Sequence, residues 1–153
     1  QALPSITGEK NTLHLTGRGL VLVLADGLSF VAFLSACTAA LAAGNVVIIH
    51  SRDPENLAQQ SWAAALHAAQ LPFAVVYHSA HDLCLSPTIR AIIAPDAPPG
   101  LTLQLATRRG AITPLLTPDC HGYFPLHRLA VERCITVNTT AAGGNASLMM
   151  LGA

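Results

Sequence analysis

"GLVLVLAD", from Gly19 to Asp26, is the stretch whose reading decides the fold. Every position from Leu20 to Ala25 is apolar, bounded by a glycine and an aspartate. A strand with one wet face would alternate. An uninterrupted apolar run reads instead as a strand covered on both faces, the pattern of a parallel sheet interior.

A parallel strand needs a crossover, and the following residues supply one. Ser29 can cap a helix running to about Ala43, and Gly44 and Asn45 stand where a helix end releases the chain. "NVVIIH" (Asn45 to His50) gives a second strand, and Pro54 behind Asp53 starts a second helix through Ala69. "FAVVYH" (Phe73 to His78) is a third strand; after a short polar segment, "TIRAIIAP" (Thr88 to Pro95) is a fourth. This alternation predicts an α/β fold with a Rossmann-like parallel sheet and right-handed crossovers over residues 19–100. The window from Leu28 to Ile49 holds no Asp, Glu, Lys, Arg or His, but Gly44 and Asn45 divide it into a helix of about fifteen residues and a buried strand. That division favours a folded core over a membrane span of about twenty residues.

Either side of this unit the style changes. Residues 1–18, with Pro4, Gly8 and Gly17 as breakers, read as an irregular lead-in arm or linker. Pro95, Pro98, Pro99 and Gly100 make a stiff break, after which "LTLQLAT" (Leu101 to Thr107) and "AITPLLT" (Ala111 to Thr117) flank a short turn. Two alternating runs about a glycine predict a β-hairpin arm over 101–117, with Pro114 suited to an edge and the arm offering a surface for homo-oligomerisation. Residues 118–153 hold a helix-like piece near Leu126 to Glu132, a strand from Ile135 to Thr139 and a terminal tail. No internal repeat is visible.

Composition bounds the function. The 153 residues fit one domain with one core. Only 10% are charged against 52% hydrophobic, and eight basic groups cancel eight acidic ones. No basic patch could neutralise a phosphate backbone, which argues against nucleic acid. Near-zero net charge favours association, so a permanent partner is expected. The first residue is Gln1 rather than Met, which suggests a processed product or a piece of a longer chain, and no secretory signal is recognisable. Four irregularly spaced cysteines (Cys37, Cys84, Cys120 and Cys134) read as reduced and intracellular.

Chemistry is sparse. A dinucleotide site needs several glycines in the first strand-to-helix turn and an acid near the end of the second strand. Here the turn is "ADGLSF" with Gly27 alone, Asp26 would set a negative charge beside the phosphates, and the second strand ends in His50, Ser51 and Arg52. Arg52 could suit a 2′-phosphate, so a nucleotide-binding module or small dehydrogenase stands as the alternative. His78, His81 and Cys84 could ligate zinc, but a fourth ligand from Asp82, Cys120 or His121 has no diagnostic spacing. Cys120 beside His121 lacks the cross-fold geometry that activates a thiolate, and no G-x-S-x-G turn supports a serine nucleophile. The expectation is no catalytic, cofactor-binding or metal residue in this chain.

The tail is different. Asn138, Thr139, Thr140, Asn145 and Ser147 offer many hydrogen-bonding groups, Gly143 and Gly144 permit close backbone approach, and Leu148, Met149, Met150 and Leu151 form an apolar anchor. A disordered end would more often be charged and poor in Leu and Met. Docking on another protein surface is expected, with the strand adding main-chain hydrogen bonds.

"ERCITVNTTAAGGNASLMMLG" (Glu132 to Gly152) resembles the C-terminal motif of the long proline utilization A proteins, and "TGEKNTLHL" (Thr7 to Leu15) resembles the segment that follows their aldehyde dehydrogenase module. The resemblance implies the C-terminal domain of a bifunctional, or DNA-binding trifunctional, enzyme that joins an FAD-dependent proline dehydrogenase to an NAD-dependent L-glutamate γ-semialdehyde dehydrogenase. It implies an aldehyde-dehydrogenase-like half domain without catalysis of its own. "HSRDPE" stands where the dehydrogenases carry a Lys-Pro-Ser-Glu type segment and "HSAHDL" where they carry a Gly-Ser-Thr turn. The 101–117 hairpin would take the place of their oligomerisation arm. The domain would pack on the dehydrogenase module of its own polypeptide, its tail helping to roof the passage between active sites. The parent would be cytoplasmic, or peripheral at the inner membrane.

Overall fold

The computed structural model describes residues 1–4, 8–53, 57–77, 79–94 and 97–139. The elements are β1 (Glu9–Gly17), β2 (Leu20–Leu24), α1 (Phe30–Ala42), β3 (Val46–His50), α2 (Leu57–Ala68), β4 (Phe73–Val76), α3 (Ala80–Leu85), β5 (Ile89–Ile93), α4 (Leu101–Thr107), β6 (Leu115–Leu116), a 3-10 turn (Leu126–Leu129) and β7 (Ala130–Asn138). The described residues group into two compact units, one within 17–131 and one made of those within 1–16 together with 132–139.

The larger unit is a parallel sheet in the order β4-β3-β2-β5-β6. β2 lies at its centre, in register with β3 from Leu20 opposite Val46 to Leu24 opposite His50, and with β5 on its other side. Two-residue periodicity then sorts the apolar strands onto two faces. Val21, Val23, Val47, Ile49, Ala91 and Ile93 pack with Phe33, Ala36, Cys37 and Ala40 of α1 on one face. Leu22, Leu24 and Ile92 pack with Cys84 and Leu101 on the other. Both faces of β2 are thus sealed, which is why its sequence does not alternate. Ser29 caps α1 as expected, its hydroxyl accepting from the Ala32 N–H at 3.3 Å.

The 101–117 segment corrects the hairpin expectation. "LTLQLAT" forms α4, entered through Gly100 at φ 81°, and β6 joins β5 as a parallel fifth strand. Its leucines at every second position mimic a strand. As a helix, however, Leu101 and Leu105 fall on one face against the α3 side of the sheet, while Leu103 is left 71% exposed. Arg108 then ties the helix end down: its guanidinium donates to Thr113 Oγ1 and to the Ser86 and Ile89 carbonyls. Residues 101–117 therefore provide no hairpin for self-association.

The antiparallel ribbon exists elsewhere. β1 pairs with β7 in a two-stranded sheet. Arg18 N–H donates to the Leu129 carbonyl at 3.3 Å and Thr139 N–H to the Gly8 carbonyl at 2.8 Å, so the two strands run in opposite directions. The lead-in segment 1–18 is accordingly ordered strand over Glu9–Gly17, and Ala2 bridges Thr12 on its outer edge. The polar side chains that made it look irregular belong to a strand in which no residue is fully buried. α3, a helix of six residues, replaces the polar segment expected between the third and fourth strands. Among the described residues no helix is long and apolar enough to cross a membrane.

Candidate functional site

The carboxyl ends of the parallel strands are where open α/β sheets bind ligands, at the point where strand order reverses. Here that point lies between β2 and β5. A cleft of about 200 Å³ opens there, with Leu24, Arg52, His81, Cys84, Leu101 and Gln104 in its wall. Beside it, the turn between β2 and α1 holds Asp26. The carboxylate accepts the Arg52 N–H at 2.7 Å, lies 3.3 Å from Arg52 Nε and 3.5 Å from Nδ1 of His50, which is 2% exposed. Asp26 thus fastens the end of β3 to the end of β2. Gly27 at φ 73° turns the chain, with nothing near its open side. A fixed carboxylate and a single glycine are a poor cradle for a pyrophosphate, which seeks bare N–H groups and positive potential.

The cysteines divide by environment. Cys37 and Cys84 are buried, Cys120 and Cys134 exposed, and all four are free. Burial pushes the Cys37 thiol up to about 12. Burial also raises Cys84, partly opposed by the charge of Arg108. Raised thiols are poor nucleophiles near neutrality. His121 stands next to Cys120 in a turn organised by Asp119, whose carboxylate accepts the His121 and Tyr123 N–H groups at 2.9 Å each. Among the described residues no three of His, Cys, Asp and Glu are placed to hold a metal; His78 lies outside them.

Of the predicted docking tail, Asn138 ends β7 and Thr139 bonds to Gly8. Thr140, Gly143, Gly144, Asn145, Ser147, Leu148 and Met149 lie outside the described residues. The sequence reading missed a second surface. α1 carries no charge, and its outward positions Val31, Leu34, Ser35, Thr38 and Ala42 line an apolar groove of about 440 Å³ closed on the far side by Tyr123, Phe124 and Leu126. The signal was present in "FVAFLSACTAALA" (Phe30 to Ala42): a helix apolar on all sides is normally covered on all sides.

Sequence comparison gives the relatives. Over an aligned stretch of 160 positions that covers 98% of this chain, it is 37% identical to the bifunctional protein PutA of Salmonella typhimurium. With the PutA proteins of Escherichia coli and Rhizobium meliloti the identities are 32% and 34%. The chain is related to PutA. It spans 11–12% of the length of these relatives. No protein-family model matches it. In structure, the PutA-related chain resembles aldehyde dehydrogenases. Lactaldehyde dehydrogenase from Escherichia coli superposes with a TM-score of 0.60 at 18% identity, covering 77% of this chain and 27% of that one. The aldehyde dehydrogenase KauB from Pseudomonas aeruginosa gives 0.60 at 16%, covering 77% and 26%. The PutA-related chain therefore has the α/β architecture of about a quarter of an aldehyde dehydrogenase.

Proposed function

We propose that this chain is the non-catalytic C-terminal domain of a PutA-type polypeptide, and that it packs on the aldehyde dehydrogenase module and helps seal a shared substrate cavity. The match of nearly the whole chain to bifunctional PutA proteins carries the reading. The parent would oxidise L-proline with FAD to Δ1-pyrroline-5-carboxylate, which hydrolyses to glutamate semialdehyde. NAD would then oxidise the semialdehyde to L-glutamate, in the cytoplasm or at the inner membrane face.

The domain's contribution is steric. A wall that keeps the intermediate from bulk water raises its concentration at the second active site and leaves each chemical step to other modules. Asp26 at the first turn and the single Gly27 support a Rossmann shape used as scaffold. The proposed docking element is the tail from Asn138, with Thr139 to Met149 supplying polar and apolar contacts.

Removing Asn138–Ala153 from the complete polypeptide tests the reading. Proline-to-NADH turnover should slow and acquire a lag, while each dehydrogenase assayed alone keeps its rate. Undiminished coupled turnover without a lag would refute it. The second reading, a nucleotide-binding module, draws on the cleft at the strand-order reversal with Arg52 in its wall. Calorimetric titration with NAD, NADP and ATP separates the two, because a saturable heat at a stoichiometry of about one would favour the second.

A further inference from the structure

We infer that the outer face of α1, with the loop from Pro118 to Leu126, is the surface that the rest of the polypeptide covers. This rests on the proposed function and adds the location. Three observations support it. Val31, Thr38 and Ala42 are exposed on one face of a helix without a charged residue, and Val31 keeps 75% of its surface. The loop facing them leaves Tyr123 69% and Leu126 49% exposed, so the two sides form a groove whose nine lining residues include no Asp, Glu, Lys or Arg. A second hollow of about 300 Å³, sharing Val31, Ser35, Tyr123 and Phe124, continues the groove past the start of α1.

Such a surface is unsuited to nucleic acid or a charged metabolite; it fits an uncharged protein face. The occupant we commit to is the remainder of the same polypeptide. The chain is only 11% of its PutA relative and its fold only about a quarter of an aldehyde dehydrogenase, so in those proteins it lies among much more chain. Among the described residues the opposite side of the sheet offers no equal: α4 exposes Leu103, but beside the polar Thr102 and Gln104.

The test uses the complete polypeptide carrying Val31→Cys or Leu103→Cys. Maleimide labelling is followed residue by residue by mass spectrometry, so other cysteines do not interfere. The two sites are similarly exposed within this chain, at 75% and 71%. Labelling at position 31 should be at least tenfold slower than at 103, and Thr38→Cys should repeat the result if Val31→Cys folds poorly. Slow labelling at 103 with fast labelling at 31 would overturn the inference while leaving the proposed function standing, since another face would then be docked. Fast labelling at both would overturn the inference, and the tail-deletion lag, which does not depend on α1, would decide separately whether the function reading falls with it. Protection at 31 that vanishes on dilution would identify a second copy as the cover and overturn it as well.

Discussion

The side-chain amide of Asn45 donates to the carbonyl of Leu129 at 3.0 Å, joining residues 84 positions apart. The same amide donates to the Ala40 carbonyl at 3.0 Å, and its oxygen accepts the Gly19 N–H at 3.1 Å. One buried side chain therefore binds the end of α1, the start of β2 and the 3-10 turn.

Asn45→Ala should lower stability by about 1–2 kcal/mol, because it removes three hydrogen bonds of a buried side chain, while the Arg18 N–H still reaches the Leu129 carbonyl and the residue's own N–H the Ala40 carbonyl. Urea denaturation measures the loss. A change within about 0.5 kcal/mol would mean that these main-chain donors hold both carbonyls unaided.

Gly17 crosses Gly44 so closely that a Cβ on Gly17 would strike the Gly44 carbonyl. Gly17→Ala should cost about 1–3 kcal/mol through forced backbone movement. Gly27→Ala meets nothing within 4 Å but must hold φ 73°, so its cost of about 1 kcal/mol has a different origin. Gly17→Ser should be at least as damaging as Gly17→Ala, whereas Gly27→Asn should be milder than Gly27→Ala because Asn tolerates the left-handed region.

At Asp26 the two partners differ in weight. The Arg52 side chain is 80% exposed, so Arg52→Ala should change stability by less than about 0.5 kcal/mol. Asp26→Ala also removes the acceptor for the Arg52 N–H and should cost about 1–2 kcal/mol. Thermal unfolding of both variants checks the order, and equal losses would show the exposed ion pair to be the main tie.

Thiol reactivity should split the cysteines evenly. A disulfide reagent at neutral pH should modify Cys120 and Cys134 quickly and reach Cys37 and Cys84 only on unfolding. The raised Cys37 thiol also carries a pH signature. In the native chain it stays protonated up to about 12, whereas the unfolded thiol ionises from about 8.5. Its stabilising contribution is complete below that lower value and is lost as pH climbs through the interval. Denaturant midpoints measured between pH 8 and 11 should fall less steeply in Cys37→Ala than in the parent chain; parallel slopes would contradict the assignment.

Legibility varied with how local the deciding physics was. "GLVLVLAD" announced a strand buried on both faces, and Ser29, Gly44 and Asn45 bounded α1 within a residue or two, because caps and turn residues act on their immediate neighbours. The relationship to PutA was likewise carried by residue identity in the closing motif. "LTLQLAT" misled because leucines at alternate positions satisfy a strand period and also place Leu101 and Leu105 on one helical face. The choice fell to the apolar surface beneath them and to the bonds of Arg108, both distant in sequence.

What the sequence determined by itself was therefore the parallel α/β core and the kinship, since a continuous apolar run and a distinctive motif can be read in place. Only the tertiary structure decided that β1 finds β7, that Asn45 reaches Leu129, and that α1 keeps one apolar face without a cover among the described residues. Each of these is a contact between distant segments, and a contact is fixed by the joint free energy of burying both partners, which neither segment expresses alone.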